Sequence, residues 1–139
     1  MANKVVVHYL DGRIEKGLTS DFRPQRDIFH LIAYKDDREM SIPVKIEDLK
    51  AVFFVKEMEG NGKILFQKKK TFQDEEIKER PLIGKKVKVT FTDGEVLYGL
   101  TFGFSQERRG FFFNPIDPKD NNERIFALWN AVKDIKFYE

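Results

Sequence analysis

The chain contains no cysteine and only two histidines among its 139 residues. Without cysteine, disulfide bonds, thiolate nucleophiles and zinc sites built on thiolates are excluded. No apolar run approaches the roughly 20 residues that a helix needs to span a bilayer. The N-terminus also lacks the apolar core of a signal peptide, because His8, Asp11 and Arg13 interrupt it. We therefore expect a cytoplasmic protein that does not insert into a membrane.

An excess of charge of one sign is also lacking, since 25 Lys and Arg residues oppose 23 Asp and Glu residues and the net charge is +2. The two signs are interspersed, so no segment is basic enough to indicate nucleic-acid binding by itself. Hydrophobic residues make up 41% of the chain and charged residues 35%, proportions that suit a globular protein. The 14 Phe residues supply most of the bulky side chains for a core.

The sequence contains an internal repeat. A shift of 82 residues aligns positions 4–22 with 86–104 without a gap, and nine of the 19 pairs are identical. The match continues, with one residue of slippage, to the last strand of each copy. We infer that one whole unit is duplicated, with copies at 3–57 and 82–139 and a charged linker at 58–81. The identical pairs are Lys4/Lys86, Val5/Val87, Val7/Val89, Asp11/Asp93, Gly12/Gly94, Gly17/Gly99, Leu18/Leu100, Thr19/Thr101 and Phe22/Phe104.

Each copy is predicted to contain five short strands. Asp11-Gly12 and Asp93-Gly94 lie between apolar runs of period two, a pattern that predicts tight hairpins. Gly17 and Gly99 fall inside the second strands and indicate a bulge or sharp bend, which lets a short sheet curl into a small barrel. The third, fourth and fifth strands are expected at Ile28–Tyr34, Met40–Ile46 and Ala51–Lys56, and again at Phe111–Asn114, Arg124–Leu128 and Asp134–Tyr138.

These elements predict a mainly β protein built from two small SH3-like or Sm-like barrels in tandem. Each barrel alone is near the lower size limit for independent stability, so we expect the two to pack together about a pseudo-twofold axis. In the linker, Lys63–Phe66 is a candidate extra strand. Thr71, followed by the acidic residues 74–76, is a candidate N-cap for one helical turn that ends at Arg80-Pro81.

Two resemblances to known families accompany these patterns. The stretch from Val7 to Leu18 resembles the first motif of Sm-like proteins, which pairs an Asp-Gly turn with a glycine in the bent second strand. This resemblance implies a barrel; Phe22-Arg23-Pro24 stands where an Asp that holds uridine would be expected, so RNA binding is not carried over. The runs Gly84–Val96, Gly110–Phe113 and Asn121–Phe126 resemble an uncharacterised bacterial domain family, which implies no known activity.

The sequence offers no constellation of residues for catalysis. His8 and His30 have Thr90 and Phe112 as their counterparts in the second copy, and neither histidine belongs to a metal-binding spacing. A nucleophile-elbow pattern is also absent from the sequence. We therefore expect a protein that is not an enzyme, with no catalytic residue, no metal and no cofactor.

Two equivalent loops carry the arginines that are the candidate ligand-binding residues. They are 22–27 in the first copy and 104–110 in the second, and both place arginines beside aromatic residues. Such arginines can hold phosphates while aromatics stack on bases. The alternative, which we favour, is a pair of polar loops whose Phe side chains point inward. The arginines concerned are Arg23, Arg26, Arg108 and Arg109.

Two further features are candidates for contacts with a partner. The loop from Asn114 to Asn122 is long and contains two prolines, and long ordered loops are often functional. Trp129 is the only Trp, and it is either a core residue or an anchor for a partner.

Three functional hypotheses follow from the sequence. The first is a non-catalytic module that binds a partner protein through exposed sheet edges and loops. The second is binding of nucleic acid or a cyclic dinucleotide by the arginine loops. PilZ-type cyclic-di-GMP receptors require an Arg-x-x-x-Arg pair, and the spacing of Arg23 and Arg26 does not match it. Enzymatic activity ranks third.

Overall fold

The computed structural model of the protein describes residues 2–58, 71–74, 83–103, 107–117 and 119–138. These residues form ten strands and two one-turn 3₁₀ helices, Ile46–Asp48 and Trp129–Ala131, so the prediction of a mainly β protein is confirmed. The first half contains β1 (Asn3–Tyr9), β2 (Ile14–Thr19), β3 (Ile28–Lys35), β4 (Arg38–Lys45) and β5 (Leu49–Val55). The second half contains β6 (Lys85–Phe91), β7 (Val96–Thr101), β8 (Gly110–Pro115), β9 (Asn122–Leu128) and β10 (Val132–Tyr138).

The two Asp-Gly dipeptides form the hairpin turns that the sequence predicts. Gly12 has φ 95° between β1 and β2, and Gly94 has φ 96° between β6 and β7. This left-handed region favours glycine because it has no Cβ. In each turn the Asp side chain accepts a hydrogen bond from the backbone N–H two residues later, at 2.9 Å from Arg13 and 3.0 Å from Glu95. Both hairpin turns are therefore stabilised by hydrogen bonds between residues that are close together in the sequence.

Glycines inside the second strands permit a close approach of the third strands. A Cβ on Gly17 would lie 2.5 Å from the carbonyl oxygen of Ile32, and a Cβ on Gly99 would lie 2.5 Å from that of Asn114. No other residue type fits at either place without a shift of the backbone. Strand β2 contacts β3 through one register pair, Leu18↔Ile32, whereas β3 follows β4 over its whole length. The second and third strands therefore pair only briefly beside these glycines, through one residue pair in the first half and two in the second.

All ten strands belong to one antiparallel sheet, in the order β10-β6-β7-β8-β9-β5-β1-β2-β3-β4. Each half has the same internal order, with its fifth strand beside its first and its fourth strand at the far end. The halves are joined where β5 pairs with β9, from Ala51↔Ala127 to Val55↔Asn122. The expected pair of closed barrels is therefore replaced by one open sheet, because β5 pairs with β1 and β9 and leaves β4 at an end.

The paired strands β5 and β9 separate two hydrophobic cores. Successive side chains of a strand point to opposite faces, and here both faces are buried. Val52, Phe54, Phe126 and Leu128 belong to the first core, which lies against β1, β3 and β4. The alternate residues of the same two strands, Ala51, Phe53, Val55, Ile125 and Ala127, belong to the second core, which lies against β6, β7 and β8.

The described part of the linker forms a turn that packs on the second half. The hydroxyl of Thr71 accepts a hydrogen bond from the N–H of Gln73 at 3.2 Å, and the ring of Phe72 lies 5.4 Å from Tyr98 and 5.1 Å from Tyr138. The candidate strand at 63–66 lies outside the described residues, as do residues 75–81 of the helical turn that was predicted to follow Thr71. The described part of the chain contains no helix with the length and apolar character needed to cross a membrane.

Candidate functional site

The structure brings the two arginine loops into contact. Arg109, in the second loop, donates a hydrogen bond from Nη2 to Oδ1 of Asp27 at 2.8 Å and another from Nη1 to the carbonyl oxygen of Arg26 at 3.3 Å. The carbonyl oxygen of Arg109 accepts a hydrogen bond from the N–H of Trp129 at 3.0 Å. Arg109 therefore connects the loop of one half to the loop of the other, and its charge is compensated by Asp27.

The other three candidate arginines point their charges at solvent. Arg23, Arg26 and Arg108 are exposed. Their guanidinium groups have no hydrogen-bond or ion-pair partner within the part of the chain that the structure describes. Of these three, Arg108 lines the cleft described below, and Arg23 and Arg26 belong to the loop that Arg109 contacts.

A cleft of about 420 Å³ opens between these loops. Its walls are apolar and come from both halves, and its polar groups are the side chains of Arg108 and Asn114. The volume falls within the roughly 300–1,000 Å³ typical of ligand-binding clefts. At its base the buried Phe126 is 1% exposed, whereas Phe102 keeps 71% of its surface in solvent. The apolar walls are formed by Pro24, Leu100, Phe102, Phe111 and Phe112.

Gly110 allows β8 to lie close to β9 beside this cleft. A Cβ at this position would come 2.3 Å from the carbonyl oxygen of Ala127 and 2.7 Å from Cζ of Phe126. A larger residue would therefore displace Phe126 and close part of the cleft. The sequence analysis placed Gly110 at the end of an arginine loop but gave it no role.

Most of the apolar lining of the cleft was not predicted as part of a site, including Leu100 and Phe102, whereas Asn114 begins the loop that was predicted to contact a partner. Phe102 carries the signal that was available, because its counterpart in the first copy is Ser20. This difference places an aromatic residue at a strand end, where it remains exposed beside the cleft. The participation of Pro24 depends on how the halves join, which the sequence does not state.

The aromatic residue of the first arginine loop faces the interior. Phe22 makes edge contacts with Phe29 at 5.1 Å, with Phe54 at 5.5 Å and with Phe126 at 5.5 Å between ring centroids. Its ring is thus not presented to a ligand. Arg124 covers this cluster, with its guanidinium carbon 4.4 Å from the centroid of Phe54. Among the described residues near the arginines, Phe102 presents an exposed aromatic ring, and Phe104 of the second loop lies outside the described residues.

Trp129 and the 114–122 loop both make contacts within the chain. The ring of Trp129 is partly buried and lies 4.7 Å from the ring of Phe111, against the second core. Asn121 of the loop donates from Nδ2 to the carbonyl oxygen of Glu57 and accepts from its N–H, both at 3.0 Å. The loop therefore fixes the chain at the end of β5.

The two histidines lie in different surroundings. Burial lowers the pKa of His8, and the nearby charge of Lys50 lowers it further. His30 is exposed, and its Nδ1 lies 2.7 Å from Oδ2 of Asp21. Burial raises the pKa of Asp21, but hydrogen bonds from His30 and Thr19 outweigh it and bring the pKa below its ordinary value. The Thr19 hydroxyl donates to the same carboxylate at 3.2 Å, and Thr19 is buried.

A search of the described ranges finds no group of three or more His, Asp or Glu residues that could hold a metal ion. The site is therefore a cleft at the junction of two similar sheet halves, with aromatic walls and an arginine rim.

The chain belongs to DUF6982, a family of unknown function, whose model matches residues 1–138. The expectation of an uncharacterised domain family is thereby confirmed. No curated protein and no solved structure matches the chain.

Proposed function

We propose that this protein is a non-catalytic binding protein that acts through protein–protein contacts, and that its contact site is the cleft between the arginine loops. The observation that carries this proposal is the combination of apolar walls with one uncompensated guanidinium, that of Arg108. Burial of apolar surface contributes about 25 cal/mol per Å² to association. A charge at the edge of such a cleft fixes the orientation of what enters it.

The distribution of charge supports a partner that carries an acidic group. Arg23 and Arg26 flank Pro24, which lines the cleft, and Arg108 lines it from the other half. The nearest carboxylate of the first loop, that of Asp27, is already engaged by Arg109. A complementary partner segment carries a bulky apolar side chain next to an acidic residue or a C-terminal carboxylate. The side chain fills the cleft and the carboxylate meets the arginines.

Selection from a random-peptide display library tests this proposal with a defined probe. Wild-type protein should enrich peptides in which a bulky apolar residue adjoins an acidic residue. Arg108→Glu and Phe102→Ser should abolish the enrichment. The matched controls are Lys16→Glu, an exposed charge reversal on β2, and Tyr34→Ser, whose side chain is 71% exposed like that of Phe102. Absence of enrichment, or equal enrichment by the cleft variants, contradicts the proposal.

A second candidate function is binding of nucleic acid or a cyclic dinucleotide. Its support is that the loops of the two halves meet, and that Pro24, which lies between Arg23 and Arg26 in the chain, lines the same cleft as Arg108 and Phe102. The arginines would contact phosphates and the ring would stack on a base. Arg109 is left out of this set because it bridges the loops.

Titration with labelled single-stranded RNA, single-stranded DNA and cyclic-di-GMP tests the second candidate. Phosphate contacts release counterions, so binding should weaken strongly as salt increases. The Arg26→Ala/Arg108→Ala variant should lose it. If no ligand binds at low salt, where electrostatic attraction is strongest, the second candidate is wrong and the first is unaffected.

We also propose that the chain is a tandem repeat of one SH3-like or Sm-like unit. Both halves have the same strand order, the same positive φ at the Asp-Gly turn and the same close contact at the second-strand glycine. These similarities support the assignment of counterpart residues 82 or 83 positions apart.

A further inference from the structure

Among the residues that the structure describes, the strands at the two ends of the sheet are the counterparts of the strands that pair at its centre. In the proposed repeat, β10 corresponds to β5 and β4 corresponds to β9. The centre joins β5 to β9, and the ends present β4 and β10. A second copy of this chain, placed head to tail, has the backbone geometry to repeat the central pairing, with its β10 against β4 of the first copy.

The register of such a contact follows from the register at the centre. There Val52 lies opposite Phe126, and Phe54 lies opposite Arg124. Moving each strand to its counterpart, 83 residues away, places Ile135 opposite Pro43 and Phe137 opposite Ser41. Both ends retain apolar side chains, since Phe137 is 43% exposed and Met40 is 46% exposed. Each edge strand thus keeps an exposed apolar side chain that a neighbouring strand could cover.

The residues that make the central pairing favourable are replaced at the edges. Phe126 and Leu128 on β9 are 1% and 3% exposed, and their counterparts on β4 are the exposed Pro43 and Lys45. Proline has no N–H for a neighbouring strand, and lysine on an edge strand opposes burial.

The other edge is changed in the same way. Ala51 and Phe53 on β5 are 0% and 5% exposed, and their counterparts on β10 are the exposed Asp134 and Lys136. A paired β10 would bury these charges, which is unfavourable without partners of opposite sign.

The ion pair at the centre also has no equivalent at the edges. Lys50 contacts Asp93 and Glu95 of the other half at 2.6 and 2.7 Å. The counterparts are Lys133, Asp11 and Arg13, and Arg13 already binds Asp11 at 2.8 Å. In a head-to-tail contact, Lys133 of one copy would lie beside the cation of Arg13 of the other copy. At the centre of the sheet, the equivalent Lys50 lies beside the carboxylate of Glu95.

We propose that these replacements limit the assembly to the two units within one chain. The protein is monomeric because Arg13, Pro43, Lys45, Asp134 and Lys136 block a head-to-tail contact that the backbone otherwise permits. The inference rests on the repeat and is independent of what the cleft binds.

Light scattering coupled to size-exclusion chromatography tests the proposal. The wild type should keep the mass of one copy, about 16.4 kDa, at all concentrations. A larger wild-type mass overturns the proposal. The variant Arg13→Glu/Pro43→Phe/Lys45→Leu/Asp134→Ala/Lys136→Phe should gain mass as concentration increases. A variant that is folded by circular dichroism and remains monomeric also overturns it.

Disulfide trapping separates the head-to-tail contact from non-specific aggregation. The chain has no cysteine, so every disulfide joins introduced cysteines, and mass spectrometry of the linked peptides identifies which two positions are joined. In the five-residue variant, Ser41→Cys with Phe137→Cys should form intermolecular disulfides. The control pair, Lys35→Cys on β3 with Phe137→Cys, should not. Equal cross-linking of both pairs contradicts the register and overturns the proposal. The wild-type mass decides the monomer claim even if the variant does not fold.

Discussion

Nζ of Lys50, on the last strand of the first half, lies 2.6 Å from Oδ2 of Asp93, in the first hairpin of the second half. The Lys50 side chain is only 10% exposed, and its ammonium group also lies 4.7 Å from the centroid of the Phe91 ring. Its hydrogen bond holds the pKa of Asp93 below the ordinary value. An ion pair and a cation–π contact therefore connect the two halves at the edge of the shared β5–β9 pair.

Replacement of Lys50 by methionine should destabilise the protein. Lys50→Met keeps an apolar stem against Phe91 but leaves the Asp93 and Glu95 carboxylates without their cation. We expect a loss of about 1–2 kcal/mol, less than for a fully buried pair because both carboxylates are partly exposed. Urea denaturation measures it. The counterpart Lys133→Met is the control, and its exposed side chain should change stability by less than about 0.5 kcal/mol.

Acid should weaken the fold through His8. Burial lowers the pKa of His8 below 6.5, so the unfolded chain binds a proton that the folded protein does not. The stability due to neutral His8 is present above pH 6.5 and is lost as pH falls through the folded pKa. His8→Gln should flatten this part of the profile. The contribution of Asp93 appears only below its ordinary pKa of 3.8. Identical slopes for wild type and His8→Gln between pH 7 and roughly pH 5 would contradict this prediction.

Alanine at either second-strand glycine should be strongly destabilising. In Gly17→Ala the new methyl group would meet the Ile32 carbonyl oxygen, and in Gly99→Ala it would meet that of Asn114, each at 2.5 Å. Because these atoms belong to the backbone, we expect a cost of at least about 2 kcal/mol for each. Thermal unfolding compares them with Gly103→Ala, whose Cβ would have no neighbour within 4 Å. Equal stability of all three variants would show that the strands do not approach closely there.

The contact between the arginine loops should be weak but measurable. Arg109 and Asp27 form an exposed pair, with side chains 37% and 87% exposed. A double-mutant cycle with Arg109→Ala and Asp27→Ala should give a coupling energy of about 0.2–1 kcal/mol. The coupling should shrink at high salt. Zero coupling at low salt would indicate that the loops do not meet as described.

The local features of the fold were accessible from the sequence. The hairpin at Gly12 and the strand predicted at Ile28–Tyr34, observed at Ile28–Lys35, depend on neighbouring residues. The pairing of β5 with β9 was missed, because it joins residues far apart in the chain. A signal existed in Ala51–Val55 and Ile125–Leu128, which are apolar without alternation. Such runs indicate strands buried on both faces.

The candidate site was only partly accessible. The equivalence of Arg26 and Arg108 suggested that the loops were related, but two loops of separate barrels need not touch. They meet because the β5–β9 pair brings the halves together, and that contact makes Arg109 a bridging residue. Phe102 became part of the site through the same contact, since the opposite wall of the cleft is Pro24 of the first half.

Calorimetric titration of the most enriched display peptide into wild-type protein and four variants tests the binding cleft most directly. Arg108→Glu and Phe102→Ser should each weaken binding at least about tenfold, which corresponds to about 1.4 kcal/mol. Lys16→Glu and Tyr34→Ser should bind like the wild type. Equal affinity for all five proteins would place the binding surface elsewhere and contradict the proposed function.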